Sequence, residues 1–415
     1  MNQFAGQDNH FDITIIGGGM VGVSMALLLA EHKRWKVLVL ESQPIQGGEV
    51  PQYSPSFDAR SSALSWSSRC IFQAMGVWQK IQQHAQAISS IHVSDRGHFG
   101  LTRLHAKEAG VEALGYVVEN NWLGSVLIQR AEQMDIQLKG SAQVKSIHPK
   151  AQSIELRVDV ACKEQIINSQ LLVVADGANS ACAKMLGIHQ QSKAYDQSAI
   201  IANLELEQPH QAVAYERFTD QGPMALLPLA DFQNSHRSAL IWTQPREAVA
   251  ALMAADDNDF LDTLHARFGH RLGRLTQVGE RVSYPLALTT SDEQVRRRLV
   301  VVGNAAHSLH PVAGQGFNLS LRDVQCLVAC LAEKPLDSDV GELDSLLNYQ
   351  AQQSKDQRNT LLFTDNLTKT FGLSSSLMAL GRNSALLMMD LVPSLRNQFA
   401  HFGMGSVKTG AKHGQ

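Results

Sequence analysis

Apolar residues run unbroken at a few points of this chain and alternate with polar ones over most of the rest. The run 11–16 ends in glycines, residues 20–32 carry apolar side chains at helical spacing, and 35–41 is a second apolar strand. Strand, helix and strand in about 30 residues make one βαβ unit. Two later runs, 171–175 before Asp176-Gly177 and 299–302 before Gly303-Asn304, are continuous and rich in Val and Leu. That is the pattern of strands buried on both faces. Alternation over 88–118, 136–174 and 195–290 predicts a mostly antiparallel sheet. Residues 43–57 read as a loop and 58–75 as a helix. From about 318 onward the pattern is helical.

These elements predict an α/β fold whose Rossmann-like domain is discontinuous, made of 1–75, 171–190 and 295–335. A substrate domain, 76–170 and 191–294, is inserted in two pieces, and 336–415 forms a helical C-terminal region.

Gly17, Gly19 and Gly22 form a G-x-G-x-x-G between the first strand and its helix. The first glycine suits a tight turn, the second a close backbone approach to a pyrophosphate, and the third close packing of helix on sheet. Glu41, nineteen residues after Gly22 at the end of the next strand, can accept both hydroxyls of an adenosine ribose. These residues predict a dinucleotide without separating FAD from NAD. The third motif adds that distinction. After Gly303-Asn304 comes His307, then His310-Pro311-Val312-Ala313-Gly314-Gln315-Gly316-Phe317-Asn318 opening a long helix. This second helix N-terminus suits negative charge on a reduced flavin ring.

In this order and spacing the three motifs resemble the aromatic-ring hydroxylase group of FAD monooxygenases. Further phrases narrow the resemblance to the ubiquinone-biosynthesis hydroxylases, most of all to the 2-polyprenyl-6-methoxyphenol hydroxylase type. They are Phe57-Asp58-Ala59-Arg60, 92–98, Tyr215-Glu216-Arg217-Phe218-Thr219, 284–288 and Gly303-Asn304-Ala305-Ala306. The resemblance spans Phe11 to about Met404. Two positions depart from the wider group: Asn304 stands where it has aspartate, and Ala183 where it has arginine.

The resemblance implies a fold of the aromatic-hydroxylase type. It also implies FAD as cofactor, NAD(P)H as electron donor, O2 as co-substrate, and ring hydroxylation of a polyprenylated phenol through a flavin C4a-hydroperoxide. Gly17, Gly19, Gly22 and Glu41 would hold the ADP half, with Arg60 near the pyrophosphate or else a helix cap. Asp176, Gly177 and Asn304 would bind along the cofactor. Pro311 would face the reactive side of the ring, and Gly314, Gln315, Gly316, Phe317 and Asn318 its pyrimidine edge. His310 is a candidate for the substrate side, and His307 reads as packing or hydrogen bonding. No residue stands out as a base for the phenol. Met224 to Leu229 and Trp242 are wall candidates for an apolar channel, or plain core. The alternatives are a sister hydroxylase acting at another ring position, a non-catalytic flavin-binding subunit of a quinone-synthesis complex, and a flavin reductase or oxidase without oxygen insertion.

Composition removes other classes. With 44% hydrophobic and 18% charged residues and a formal net charge of -3, the chain reads as globular and not as a nucleic-acid binder. Five cysteines without a C-x-x-C predict neither disulfides nor a metal site, and a reducing cytosol fits. The polar residues before Phe11 predict no signal peptide, and no run is long enough to span a bilayer. The Met- and Leu-rich segment 375–400 is a candidate for a peripheral contact with the inner face of the cytoplasmic membrane or with other pathway enzymes. Its other reading is helices packed on the flavin domain or in a homo-oligomer contact.

Overall fold

The structure is a computed structural model and describes residues 9–45, 60–134, 136–233, 235–310, 314–372, 383–384 and 387–405. The chain opens with β1 (His10–Ile16), α1 (Met20–Glu31) and β2 (Val37–Leu40), the expected βαβ unit. Then follow β3 (Ser61–Ser65), α2 (Trp66–Ala74), α3 (Trp78–Ile81), β4 (Ala85–Ile88), β5 (Ser90–Asp95), β6 (Leu101–His105), β7 (Gly115–Glu119) and α4 (Asn120–Gln133). The middle of the chain supplies β8 (Gln137–Lys139), β9 (Ala142–Pro149), β10 (Ile154–Val160), β11 (Lys163–Val174), α5 (Ala181–Met185), β12 (Gln190–Leu206), β13 (Val213–Thr219), β14 (Gly222–Phe232) and β15 (Ser235–Pro245). Next come α6 (Arg246–Ala254), α7 (Asp257–Phe268), β16 (Leu275–Val278), β17 (Val282–Ser291), β18 (Val295–Arg296), β19 (Leu299–Val301) and β20 (His307–Ser308). The described part ends in α8 (Gln315–Ala332), α9 (Leu343–Gly372) and a helix at Pro393–Gly403.

One sheet runs β18-β19-β11-β1-β2-β8, with β10 and β9 extending it from β11. Its centre, β19, β11, β1, β2 and β8, is parallel. Continuous apolar strands suit it because each face has its own cover. Ile13, Ile15, Val37, Val39, Leu171 and Val173 pack with residues of α1, α4 and α8. Their neighbours Ile16, Leu38, Leu40, Leu172 and Val174 pack with the β9–β10 hairpin and with Cys182 and Ala183 of α5.

Two expectations change here. The segment 76–170 does not belong to one inserted unit, because β8 to β11 join the first sheet and α4 packs on α1. An alternating strand looks the same whichever sheet it completes. Residues 61–65 of the expected 58–75 helix are strand β3, pairing with β7, and the helix starts at Trp66 behind an N-cap at Ser65.

The second sheet runs β20-β17-β12-β15-β14-β13-β5-β6 and is antiparallel except for β13 beside β5. Its outer face carries Ile200, Met224, Leu226, Leu240 and Trp242, buried under Val249 of α6 and Phe260, Leu264 and Phe268 of α7. Met224 and Trp242 are therefore core and not channel wall. The inner face turns toward a small third sheet, β3-β7-β4, and the first domain. Ala214, Leu229 and Ala239 pack there with Ile88, Val117 and Met404. Arg237 reaches across to Glu119 at 3.2 Å, both closed to solvent.

Candidate active site

The register of the first sheet brings three loops side by side. Ile16 pairs with Val174, and Val174 with Val301, so β1, β11 and β19 end level. Gly17 to Gly19, Asp176-Gly177 and Gly303-Asn304 thus share the carboxyl edge, where open α/β sheets bind ligands.

Gly17 has φ +109°, and a Cβ there would stand 2.3 Å from the Ala175 carbonyl oxygen. At Gly22 a Cβ would stand 1.9 Å from the Gly17 carbonyl oxygen. Both glycines are dictated by chain crossing alone. Gly19 differs: its φ is -70°, and nothing lies within 4 Å of where a Cβ would be. Glu41 is held in place, with Oε2 accepting from the Gly18 amide at 2.7 Å and Oε1 from the Gln43 amide at 2.9 Å. Sequence reasoning missed the Gly18–Glu41 bond.

Asp176 reaches the first turn of α5, its Oδ2 accepting from the Cys182 amide at 3.1 Å beside the N-cap Ser180. Its Oδ1 is buried with no hydrogen-bond partner among the described residues. Gly303 lies against Val21 of α1, and the Asn304 side chain beside it is exposed.

The loop from His310 leads into α8. Pro311, with Val312 and Ala313, lies outside the described residues. Gly314 is the N-cap in left-handed conformation, with φ +59°. The backbone amides of the first turn have no partner within the helix, as at every helix start. Gly316 has open space around a Cβ position. Gln315 turns away and donates to the Gly403 carbonyl at 3.2 Å, while Phe317 packs toward Phe72. The Asn318 side chain points into the fold. Its Oδ1 accepts from the Ser65 amide at 2.8 Å and the Ser68 hydroxyl at 2.7 Å. Its Nδ2 donates to the carbonyls of Ala63 at 2.9 Å and Gly314 at 2.7 Å. One side chain therefore ties β3, α2 and the loop before α8 together.

His310 is buried, and burial lowers its pKa to about 4, so its ring is neutral near pH 7. It meets Tyr195 edge-on, with ring centroids 5.3 Å apart, and the Tyr195 hydroxyl donates to Asp365 at 3.2 Å. Burial and the Asp365 carboxylate push Tyr195 up to about 12. His307 sits in another buried pair, Nε2 to Asp323 Oδ2 at 2.5 Å, and Gln357 donates to Asp323 Oδ1 at 3.0 Å. Arg60 is exposed and donates to the Tyr284 hydroxyl of β17 at 3.0 Å. Tyr195, Asp365 and Asp323 carried no signal in sequence, because each acts across a long separation. Among the described residues no cluster of three or more metal-ligating side chains occurs.

These features fit a long dinucleotide. The open flank at Gly19, the unpartnered Oδ1 of Asp176 and the open flank at Gly316 mark three places where the backbone leaves room or a polar atom for a ligand.

Comparison with known proteins agrees. Residues 10–355 match the FAD binding domain family. The chain is 32% identical to the ubiquinone hydroxylase UbiL of Rhodospirillum rubrum, covering 97% of this chain and 91% of that protein. It is 29% identical to the human mitochondrial ubiquinone biosynthesis monooxygenase COQ6, covering 96% and 93%. It is 28% identical to the 3-demethoxyubiquinol 3-hydroxylase of Escherichia coli, covering 95% and 98%. In fold it is similar to p-nitrophenol 4-monooxygenase of Pseudomonas putida, at TM-score 0.75, 14% identity, and coverage of 94% and 97%. It is also similar to PqsL of Pseudomonas aeruginosa, at TM-score 0.75, 18% identity, and coverage of 91% and 99%. The chain belongs to the FAD binding domain family and, within it, to the FAD-dependent monooxygenases of ubiquinone biosynthesis.

Proposed function

We propose that this enzyme hydroxylates the aromatic ring of a polyprenylated phenol in ubiquinone biosynthesis, and that the phenol is 2-polyprenyl-6-methoxyphenol. The observation that carries this reading is an open row on the inner face of the second sheet. Val282, Ile201, Ile241 and Ala225 stand in one line across β17, β12, β15 and β14. The first three keep accessible surface, whereas the outer-face row Ile200, Trp242, Met224 is closed. The rows on either side are docked: one on Ile88 and Val117, the other through Tyr284 on Arg60. An apolar gap of this kind suits an aromatic ring and a hydrocarbon tail.

FAD, reduced by NAD(P)H, supplies the activation of O2 and the oxygen atom delivered to the ring. The chain's own part is to bind, orient and exclude water. Gly17, Gly19, Gly22 and Glu41 hold the ADP half, with Asp176, Gly177, Asn304 and Arg60 along the middle. The backbone at the start of α8, from Gly314 to Asn318, would hold the pyrimidine edge of the flavin, where the helix dipole favours negative charge. By the family resemblance Pro311 and His310 would border the reactive side, His310 as a neutral ring.

Among the described residues no helix is long and apolar enough to cross a membrane. Leu387, Met388, Leu391 and Leu395 are exposed, which supports a peripheral cytoplasmic contact with the bilayer that stores the tail, or with pathway enzymes or a second copy. Residues 373–382 and 385–386 of that region lie outside the described residues.

Deletion of the gene, followed by mass spectrometry of the prenylphenols that accumulate, tests the proposal. Accumulation of 2-polyprenyl-6-methoxyphenol is expected. Another accumulated intermediate assigns a sister ring position, and unchanged quinone levels overturn the reading.

A further inference from the structure

The same row of the sheet continues through the buried Ala225 to Glu216 on β13 and the buried Val93 on β5. Glu216 is therefore the one ionisable side chain in a line otherwise made of Val, Ile and Ala. Its neighbours along β13 on the same face are Ala214 and Phe218, both buried. The other inner-face or nearby carboxylates each have a partner: Glu119 has Arg237, Asp95 has His98, Asp365 has Tyr195 and Asp323 has His307. Glu216 forms no hydrogen bond or ion pair among the described residues. The arginines of this region, Arg103, Arg217 and Arg271, gather around His92 on the opposite face of the sheet. Glu216 lies deep in the fold yet keeps some accessible surface.

Val93 and Phe218, beside Glu216, pack with Leu367 of α9 and with Met389. Leaving a carboxyl unpaired against apolar walls is costly, so a structural role does not account for it. A phenol hydroxyl is the donor such a group lacks.

We propose that Glu216 is the catalytic residue that holds the substrate's phenol hydroxyl and takes its proton as the ring is hydroxylated. The phenol O–H bond breaks, a carboxylic O–H forms on Glu216, and the electron pair left on the phenol oxygen enriches the ring carbons that accept the oxygen atom. The proton leaves Glu216 to solvent when product departs. The proposal rests on the reading of this gap as the phenol site.

Burial alone pushes the Glu216 carboxyl up to about 8. Asp95 and Asp365, the acids nearest on β5 and α9, are engaged by His98 and Tyr195. Near neutral pH the empty site is then mostly protonated; the ionised form accepts a hydrogen bond from a phenol more strongly than the neutral acid, and only it can take the phenol's proton. Affinity for a phenol accordingly rises with pH up to about 8 and levels off above.

The test uses FAD-loaded, oxidised protein and 2-prenyl-6-methoxyphenol as probe, with binding read from the flavin absorbance. For the wild type, the Kd is expected to fall several-fold as pH rises from 6 to about 8. For Glu216→Gln it is expected to be flat over that range, with kcat lowered roughly 10²-fold and the activity profile moved up toward the ionisation of a free phenol. FAD content checks that the variant is folded, and the wild-type pH series stands without it. A pH-independent wild-type Kd, or an unchanged slope in Glu216→Gln, overturns the role of Glu216 while leaving the phenol site intact. A wild type that binds no prenylphenol at any pH overturns both.

Discussion

The amide of Gly18 donates to Oε2 of Glu41 at 2.7 Å, so the acidic residue ending β2 is tied to the glycine turn ending β1. The turn and its acidic partner form one unit before any ligand arrives. Gly17 and Gly22 are required by that unit itself, and Gly19 only by what it leaves open.

That difference separates folding from cofactor binding. Gly19→Ala should leave the melting temperature of the FAD-free protein within about 2 °C, since the change is on the scale of a neutral surface substitution. It should still lose most bound FAD, because the new methyl enters the open flank. Gly17→Ala should lower the stability of the FAD-free protein as well, given its φ of +109° and the 2.3 Å approach to Ala175. Thermal melts with and without FAD, together with absorbance at 450 nm or so, check both.

Asn318 satisfies four backbone or hydroxyl groups at once, two of them in fully buried bonds. Asn318→Ala strands them, and a loss of about 3 kcal/mol in urea unfolding is expected. Bound FAD should fall with it, because the start of α8 loses its tie to β3.

Burial lowers the pKa of His310 from the ordinary 6.5 to about 4 in the folded chain. The unfolded chain therefore binds this proton more readily, and stability is lost as pH falls from about 6.5 toward 4. From pH 7 to pH 5 the expected contribution is about 2 kcal/mol. His310→Gln should remove that part of the acid sensitivity, which urea midpoints at the two pH values would show.

Asp323 holds His307 and Gln357 in a fully buried network. Asp323→Ala removes one partner and leaves the others buried, so a loss of about 3 kcal/mol or more is expected in chemical denaturation. Asp323→Asn keeps an acceptor and should cost less than half of that.

The three loops that gather at the edge of the first sheet were legible in the sequence because glycine and Asp-Gly turns state a backbone requirement directly. The same holds for the long helix behind Gly314. What was not legible depends on phase and partner. An alternating strand does not say which of its faces meets a gap, so Met224 to Leu229 and Trp242 read equally as channel wall or core; Met224 and Trp242 are core, while Ala225, one residue on, faces inward. Nor does alternation name the sheet, so β8, β9, β10 and the first part of β11, up to residue 170, read as part of the inserted domain. Glu216 sat inside a phrase that carried the family resemblance, yet its isolation among apolar neighbours emerges only when six strands are laid side by side.

The most direct test of the central claim follows the oxygen atom. FAD-loaded protein is given NAD(P)H, 2-prenyl-6-methoxyphenol and O2 labelled with oxygen-18, and the ring product is weighed by mass spectrometry. One labelled oxygen in the hydroxylated ring is the predicted result. Consumption of NAD(P)H with label only in peroxide or water, and none in the ring, would contradict it.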